Sequence, residues 1–265
     1  GALLWGAATG VPALSRPWIP TWHVRLALAL DGLALLYALL ILGVGVLVLA
    51  YACAYVPHYL EEHGRPRREE TRLYGWILAF MAAMLLLVLA QDALLLVIAL
   101  DLTTVASYFL IGYDRERLES RSAALLALVV TGSTSVVLFA GVVLLGATHG
   151  TFDFTHLLER AAREGPDARL SVALGCVAVG ALGKSAQAPF HFWLPRAMAA
   201  PTPVSAYLHS AAMVAAGVFV LQRFYPLFAL EPALLQALAA VGLVSMVMGS
   251  VLSLGSRRFK RVLAY

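Results

Sequence analysis

Three ionisable side chains stand well inside apolar runs of this sequence. Asp101 lies in LLLVIALDLTTVASYFLIGY, Lys184 in LGCVAVGALGKSAQAPFHFWLP and His209 in PTPVSAYLHSAAMVAAG. A charge at bilayer depth costs a few kcal/mol on insertion scales, so each needs a reason. An acid, an amine and an imidazole together can take up, hold and pass a proton. Desolvation favours a neutral amine and a nearby carboxylate favours the ammonium, so a lysine held between those influences can load and release. Blander readings stand beside this one. Asp101 could be a protonated helix contact, Lys184 could snorkel along its stem to the surface, and a lone histidine on an apolar face is often a satisfied core residue. Thr103 diverges from Asp101 around a helix, and Thr104 less so, and no acid lies within reach of Lys184 along its own helix. His191 and Gln187, close to Lys184, are secondary candidates. Asp31, Asp92 and Arg223 fall near the ends of apolar runs, where interfacial charges are ordinary.

The elements that must position these groups include an interrupted one. Pro189, Pro195, Pro201 and Pro203 follow Lys184 closely. Proline removes a backbone donor and clashes with the preceding turn, so no straight helix runs through 184–204. Non-helical backbone at depth survives only where protein buries it or water lines it, and broken helices mark ion and substrate sites in transporters. Phe190 and Trp193 are placed to pack such a break, and the small residues of VGALGKSAQA let another helix approach closely.

Composition sets the class. The chain has 265 residues, 61% hydrophobic and 13% charged, against about 45–50% and about 25% for a soluble domain. Continuous apolar runs near the length needed to cross a bilayer recur, which predicts an all-α polytopic membrane protein rather than a barrel. Spans are expected at 32–56, 73–91, 93–113, 122–146, 170–200, 203–225 and 233–255. Residues 1–14 read as a partial span, 15–30 as an interfacial loop anchored by Trp18, Trp22 and His23, and 154–163 as a short surface helix. The net charge of +4 comes from arginines in short loops, so membrane topology explains it and a nucleic-acid partner is not expected. Cys53 and Cys176 have neither a disulfide framework nor zinc spacing, and no metal site is expected. Loops 57–72 and 114–121 and the tail from Arg257 carry most of the lysine and arginine. The positive-inside rule puts all three in the cytoplasm if 170–200 crosses once. The Gly start and the basic RRFKRVLAY end read as a window on a longer protein.

The segment GALGKSAQAPFHFWLPRAMAAPTPVSAYLHSAAMVAAGV closely resembles the signature of the proton-translocating antiporter-like subunits. These include the large membrane-arm subunits of respiratory complex I and the Mrp-type cation/proton antiporters. The resemblance extends through LDGLALLYALLILGVGVLVLAY, LVIALDLTTVASYFLIGYDRER and KRVLAY. FHFWLP and SAYLHSAAMV look most like the A-type subunit of the Mrp antiporter. The resemblance implies a fragment of a fourteen-helix core built as inverted five-helix repeats, with a broken helix near 184–200. Residues 32–91 would be N-terminal antiporter-like helices, and 92–265 the first repeat with the start of the second. It makes Lys184 the central lysine, Asp101 the counterpart of a glutamate that tunes it, and His209 a group on the mid-membrane polar axis. Asp101 is one methylene shorter than that glutamate, and Ala215 stands where Mrp relatives often carry a lysine. The implied function is that of a membrane subunit of a monovalent cation (sodium)/proton antiporter in a prokaryotic cell membrane. Its expected partners are other membrane subunits, protons, cations and lipid, with no cofactor in this chain and no covalent catalysis. A proton-pumping subunit of an NADH-quinone oxidoreductase is the alternative. A purely structural role in the membrane is a more distant one.

Overall fold

The computed structural model describes residues 14–19 and 24–265. The partial span expected near the start, and the anchors Trp22 and His23, lie outside the described residues. Where a loop was expected over 15–30, the chain forms an antiparallel hairpin of β1 (Leu14–Ile19) and β2 (Val24–Leu28). Its register slips between Pro17 and Ile19, where proline has no N–H to give to a ladder.

The remainder is helical. Asp31 caps the first helix, α1 (Gly32–Glu62), by accepting from the Ala34 N–H. There follow α2 (Arg68–Leu89), α3 (Ala93–Ile111) and α4 (Leu118–His149). The expected loop 57–72 is shorter than its composition suggests. Helix α1 runs through Pro57 to Glu62. Arg68 to Arg72 form the first turn of α2, with Glu69 and Glu70 beside them, where acids complement the positive end of the helix dipole. The surface helix α5 (Phe154–Glu164) is capped by Asp153, which accepts from the N–H groups of Thr155 and His156. Only Leu157 and Ala161 of α5 are buried.

The expected span over 170–200 is not one helix. Helix α6 (Ala168–Lys184) ends at the lysine. A 3₁₀ turn (Phe190–Trp193) and the single turn α7 (Leu194–Ala197) follow. The next crossing is α8 (Thr202–Tyr207), a π-helical turn (Leu208–Ala212) and α9 (Met213–Arg223). A short α10 (Tyr225–Phe228), the apolar α11 (Pro232–Leu254) and α12 (Phe259–Val262) complete the chain. Among the described residues, five helices are long and apolar enough to cross a membrane: α1, α2, α3, α4 and α11.

Hydrogen bonds tie the two ends of the bundle differently. At one end β2, the turn after α2 and the approach to α5 are stitched together: Gln91 N–H donates to the Ala27 carbonyl, Ala93 N–H to Phe152 and Phe154 N–H to Gln91. Asp31 pairs with Arg223 at this end. At the other end Arg65 lies 2.8 Å from Asp114, Arg258 lies 3.8 Å from Glu119 and Lys260 donates to the Ala200 carbonyl. The three arginine-rich segments thus gather at one end, and the 147–169 segment sits at the other.

Helices α4 and α6 cross where both backbones are bare. A Cβ on Gly141 would lie 2.6 Å from the Ala173 carbonyl oxygen, and one on Gly180 2.3 Å from Leu138 Cβ. On the far flank of α6, a Cβ on Gly217 of α9 would lie 2.3 Å from the Ala181 carbonyl oxygen. Lys184 is therefore carried on a helix clamped on two sides.

Candidate functional site

Lys184 is the last residue of α6, and its side chain is 1% exposed. It does not snorkel. The amine crosses to α3, where it donates to Thr104 Oγ1 at 2.7 Å and to the Leu100 carbonyl at 3.3 Å. Both acceptors are neutral. The Thr104 hydroxyl also lies 3.2 Å from the Leu100 carbonyl, so its hydrogen can point there while its lone pair faces the amine. Close seating of α6 makes this reach feasible: a Cβ on Gly183 would lie 2.3 Å from Thr134 Oγ1 of α4.

Asp101 occupies the next position on α3 after Leu100. It is exposed on the outer face of the helix, beside Ile98, Leu102 and Val105. Its Oδ1 accepts from Ser135 Oγ of α4 at 2.5 Å. Among the described residues, Asp101 and Lys184 form no ion pair within 4.0 Å. The carboxylate and the amine thus share one turn of α3 without direct contact.

The break after Lys184 satisfies its backbone internally. Trp193 is fully buried, and its indole N–H donates to the Gly183 carbonyl at 3.1 Å. Ser185 Oγ donates to the Val214 carbonyl, and the Ala188 N–H to Ser245 Oγ of α11, both at 2.9 Å. Ala186 takes φ +51° as the chain turns away from the helix. Pro189 precedes the 3₁₀ turn, Pro195 sits in α7, Pro201 precedes α8 and Pro203 lies in its first turn.

His209 lies on the π-helical turn, and both ring nitrogens are buried, with no side-chain hydrogen bond among the described residues. Its ring centroid is 6.3 Å from that of Trp193, so Trp193 touches both the Lys184 branch and the His209 branch. No hydrogen bond joins His209 to Lys184 or Asp101 among the described residues. π-Turns inside helices recur at functional sites. His191 and Gln187 line a cleft of 370 Å³ beside the break, together with Ser185, Ala215 and Ser245. His191 Nδ1 is buried and unpartnered. Among the described residues, no cluster of three His, Cys, Asp or Glu could hold a metal ion.

Sequence reasoning missed Thr104 as the partner of Lys184 and Ser135 as the partner of Asp101. Periodicity places a hydroxyl on a helix face but does not say which neighbouring helix that face meets. A run of hydroxyls in VVTGSTSVVL was the signal that could have pointed to Ser135.

Residues 90–265 match the family described as NADH:quinone oxidoreductase/Mrp antiporter, TM. The chain belongs to this family. Residues 18–67 match the family described as NADH-Ubiquinone oxidoreductase (complex I), chain 5 N-terminus. Among relatives, the chain is 40% identical over 261 residues to the A/B subunit of a "Probable K(+)/H(+) antiporter" of Rhizobium meliloti, covering 98% of this chain and 25% of that protein. It is 38% identical over 249 residues to "Putative antiporter subunit mnhA2" of Staphylococcus haemolyticus, covering 94% of this chain and 30% of the relative. The fold matches a chain of the Mrp complex from Dietzia sp. DQ12-45-1b with a TM-score of 0.84 and 33% identity, over 97% of this chain and 28% of that one. The chain therefore spans between a quarter and a third of the length of these relatives. The likeness covers the helical frame that carries Lys184 and Asp101.

Proposed function

We propose that this chain is part of a membrane subunit of an Mrp-type monovalent cation/proton antiporter, and that Lys184 is its proton carrier. The single observation that carries the reading is a fully buried amine at the end of a broken helix, held by the neutral acceptors Thr104 and Leu100 with Asp101 one residue away. Such an amine can accept a proton and give it up without a covalent step. Asp101, when it approaches as a carboxylate, favours the loaded ammonium; when it stays away or is protonated, it favours release. His209, across Trp193, would receive the proton and pass it along the membrane midplane, with His191 and Gln187 as secondary groups at the cleft. In this reading residues 32–91 are N-terminal helices of the subunit, and 92–265 hold the first repeat and the start of the second. The arginine-rich end faces the cytoplasm of a prokaryotic cell.

The antiporter names of the relatives support this reading over a redox-driven one. The match of residues 18–67 to a complex I chain keeps the redox-driven reading as the second, and flavin absorbance in the purified native complex would favour it. The test of the first is cation-dependent proton flux in everted vesicles containing the full complex, with sodium and potassium as separate arms. Lys184→Ala is expected to lower flux about 10²-fold or more with assembly unchanged. Undiminished flux in that variant removes Lys184 as the carrier.

A further inference from the structure

We propose that Ser135 is a positioning residue that holds the Asp101 carboxylate away from Lys184, and so sets when the lysine releases its proton. The inference rests on the reading of Lys184 as carrier and adds a residue to it.

The buried hydroxyls of α4 behave differently from one another. Thr131 Oγ1 donates to the Ala127 carbonyl at 2.7 Å and Thr134 Oγ1 to Val130 at 2.9 Å, each one turn back on its own helix. That is the usual way a helical hydroxyl is satisfied. Ser135 is equally buried, at 3% exposed, but reaches across to α3 and donates to Asp101. The partner it has chosen is a carboxylate on an otherwise apolar outer face, where an unpaired charge is costly. A hydrogen bond to the ionised form stabilises that charge where it is.

The same geometry gives the carboxylate two addresses. In one it accepts from Ser135, and Lys184 rests on Thr104 and the Leu100 carbonyl. In the other it turns along α3 to meet the amine, and Ser135 falls back on the carbonyl one turn behind, as its neighbours Thr131 and Thr134 already do. Neither arrangement strands a buried hydroxyl, so the two can exchange without an orphaned donor. The first leaves the ammonium without a counter-charge in contact and favours release; the second favours retention.

Little else nearby can compete for that role. Helix α4 carries no titratable side chain between Arg121 and His149. On α3 the others are Asp92 at the start and Tyr108 toward the arginine-rich end. On the remaining elements packed around Lys184 they are Arg68, Glu69, Glu70, Arg72 and Tyr74 in the first two turns of α2, Arg169 and Cys176 of α6, His191 of the 3₁₀ turn, Arg196 of α7, Tyr207 of α8, His209 of the π turn and Arg223 at the far end of α9.

The experiment records the pH profile of cation-dependent proton flux for the full-length transporter assembled with its partner subunits in everted vesicles. Ser135→Ala frees the carboxylate for Lys184 and is expected to move the half-maximal point alkaline by roughly 0.5–1 unit. Ser135→Cys, with its weak donor, should move it the same way, and Ser135→Thr should keep the parental profile. In an Asp101→Asn background, Ser135→Ala should add no further shift. An unmoved or acid-shifted profile for Ser135→Ala and Ser135→Cys overturns the proposal, as does a shift that survives Asp101→Asn. If Lys184→Ala abolishes flux while the Ser135 variants behave as the parent, the positioning role alone is lost. Full flux in Lys184→Ala removes the underlying reading instead.

Discussion

Two aspartates in this chain meet opposite treatment. Asp114, in the turn between α3 and α4, is 1% exposed and surrounded. Arg65 sits 2.8 Å from Oδ1 and Arg117 3.8 Å from Oδ2, while Tyr59 donates its hydroxyl to Oδ2 at 2.6 Å. Arg65 also lies over the Tyr113 ring at 5.9 Å. Asp101 is exposed at the middle of a helix and, among the described residues, accepts from one serine hydroxyl with no cation within 4.0 Å. Asp114 is a fixed clasp between the ends of α1 and α3, with an arginine beside each of its oxygens. Asp101 is held by one exchangeable bond, with a buried amine on the neighbouring turn. A carboxylate that is to change partners must be under-coordinated, and one that staples two segments must not be.

That contrast can be broken in several places. Asp114→Ala leaves Arg65 with only Glu69, 3.5 Å away, as counter-charge and Tyr59 without its acceptor. It is expected to cost about 3–5 kcal/mol of stability, read as lowered thermal unfolding in detergent, with flux per folded complex retained. Gly180→Val forces side-chain atoms into Leu138, where even a Cβ would sit 2.3 Å away. A loss of about 1–3 kcal/mol is expected in the same assay. Asp101→Asn should change stability by less than about 1 kcal/mol yet lower transport about 10-fold; equal losses in both would make Asp101 a second clasp. The smallest effect is expected from Asp101→Glu. One more methylene lets the carboxylate reach the amine, so stability should stay within about 0.5 kcal/mol. The pH profile should move alkaline, by less than in Ser135→Ala.

Much of this was legible in the amino-acid order alone. Apolar run lengths located the crossings, and the prolines after Lys184 foretold that α6 could not continue. The short surface helix was visible over 154–163. Three things were not. The hairpin at 14–28 is too short, and too interrupted by Pro17, for alternation to announce it. The π turn at 208–212 has no proline or glycine to mark it; it is a packing outcome. The pairings of Lys184 with Thr104 and of Asp101 with Ser135 depend on how α3, α4 and α6 are rotated about their axes. That rotation is fixed by where glycines let backbones meet, and no single helix encodes it.

Those glycine contacts also have a mechanical meaning. Gly141, Gly180 and Gly183 set α4 against α6 at successive levels with no room for a methyl group, and close-packed surfaces of that kind have few alternative seatings. Sliding one rod past the other by a turn would drive Leu138 and Thr134 into main chain. The lysine therefore rides on a stationary strut, and any exchange of partners at its tip, as proposed above, would be governed by torsions of small side chains rather than by helix movement.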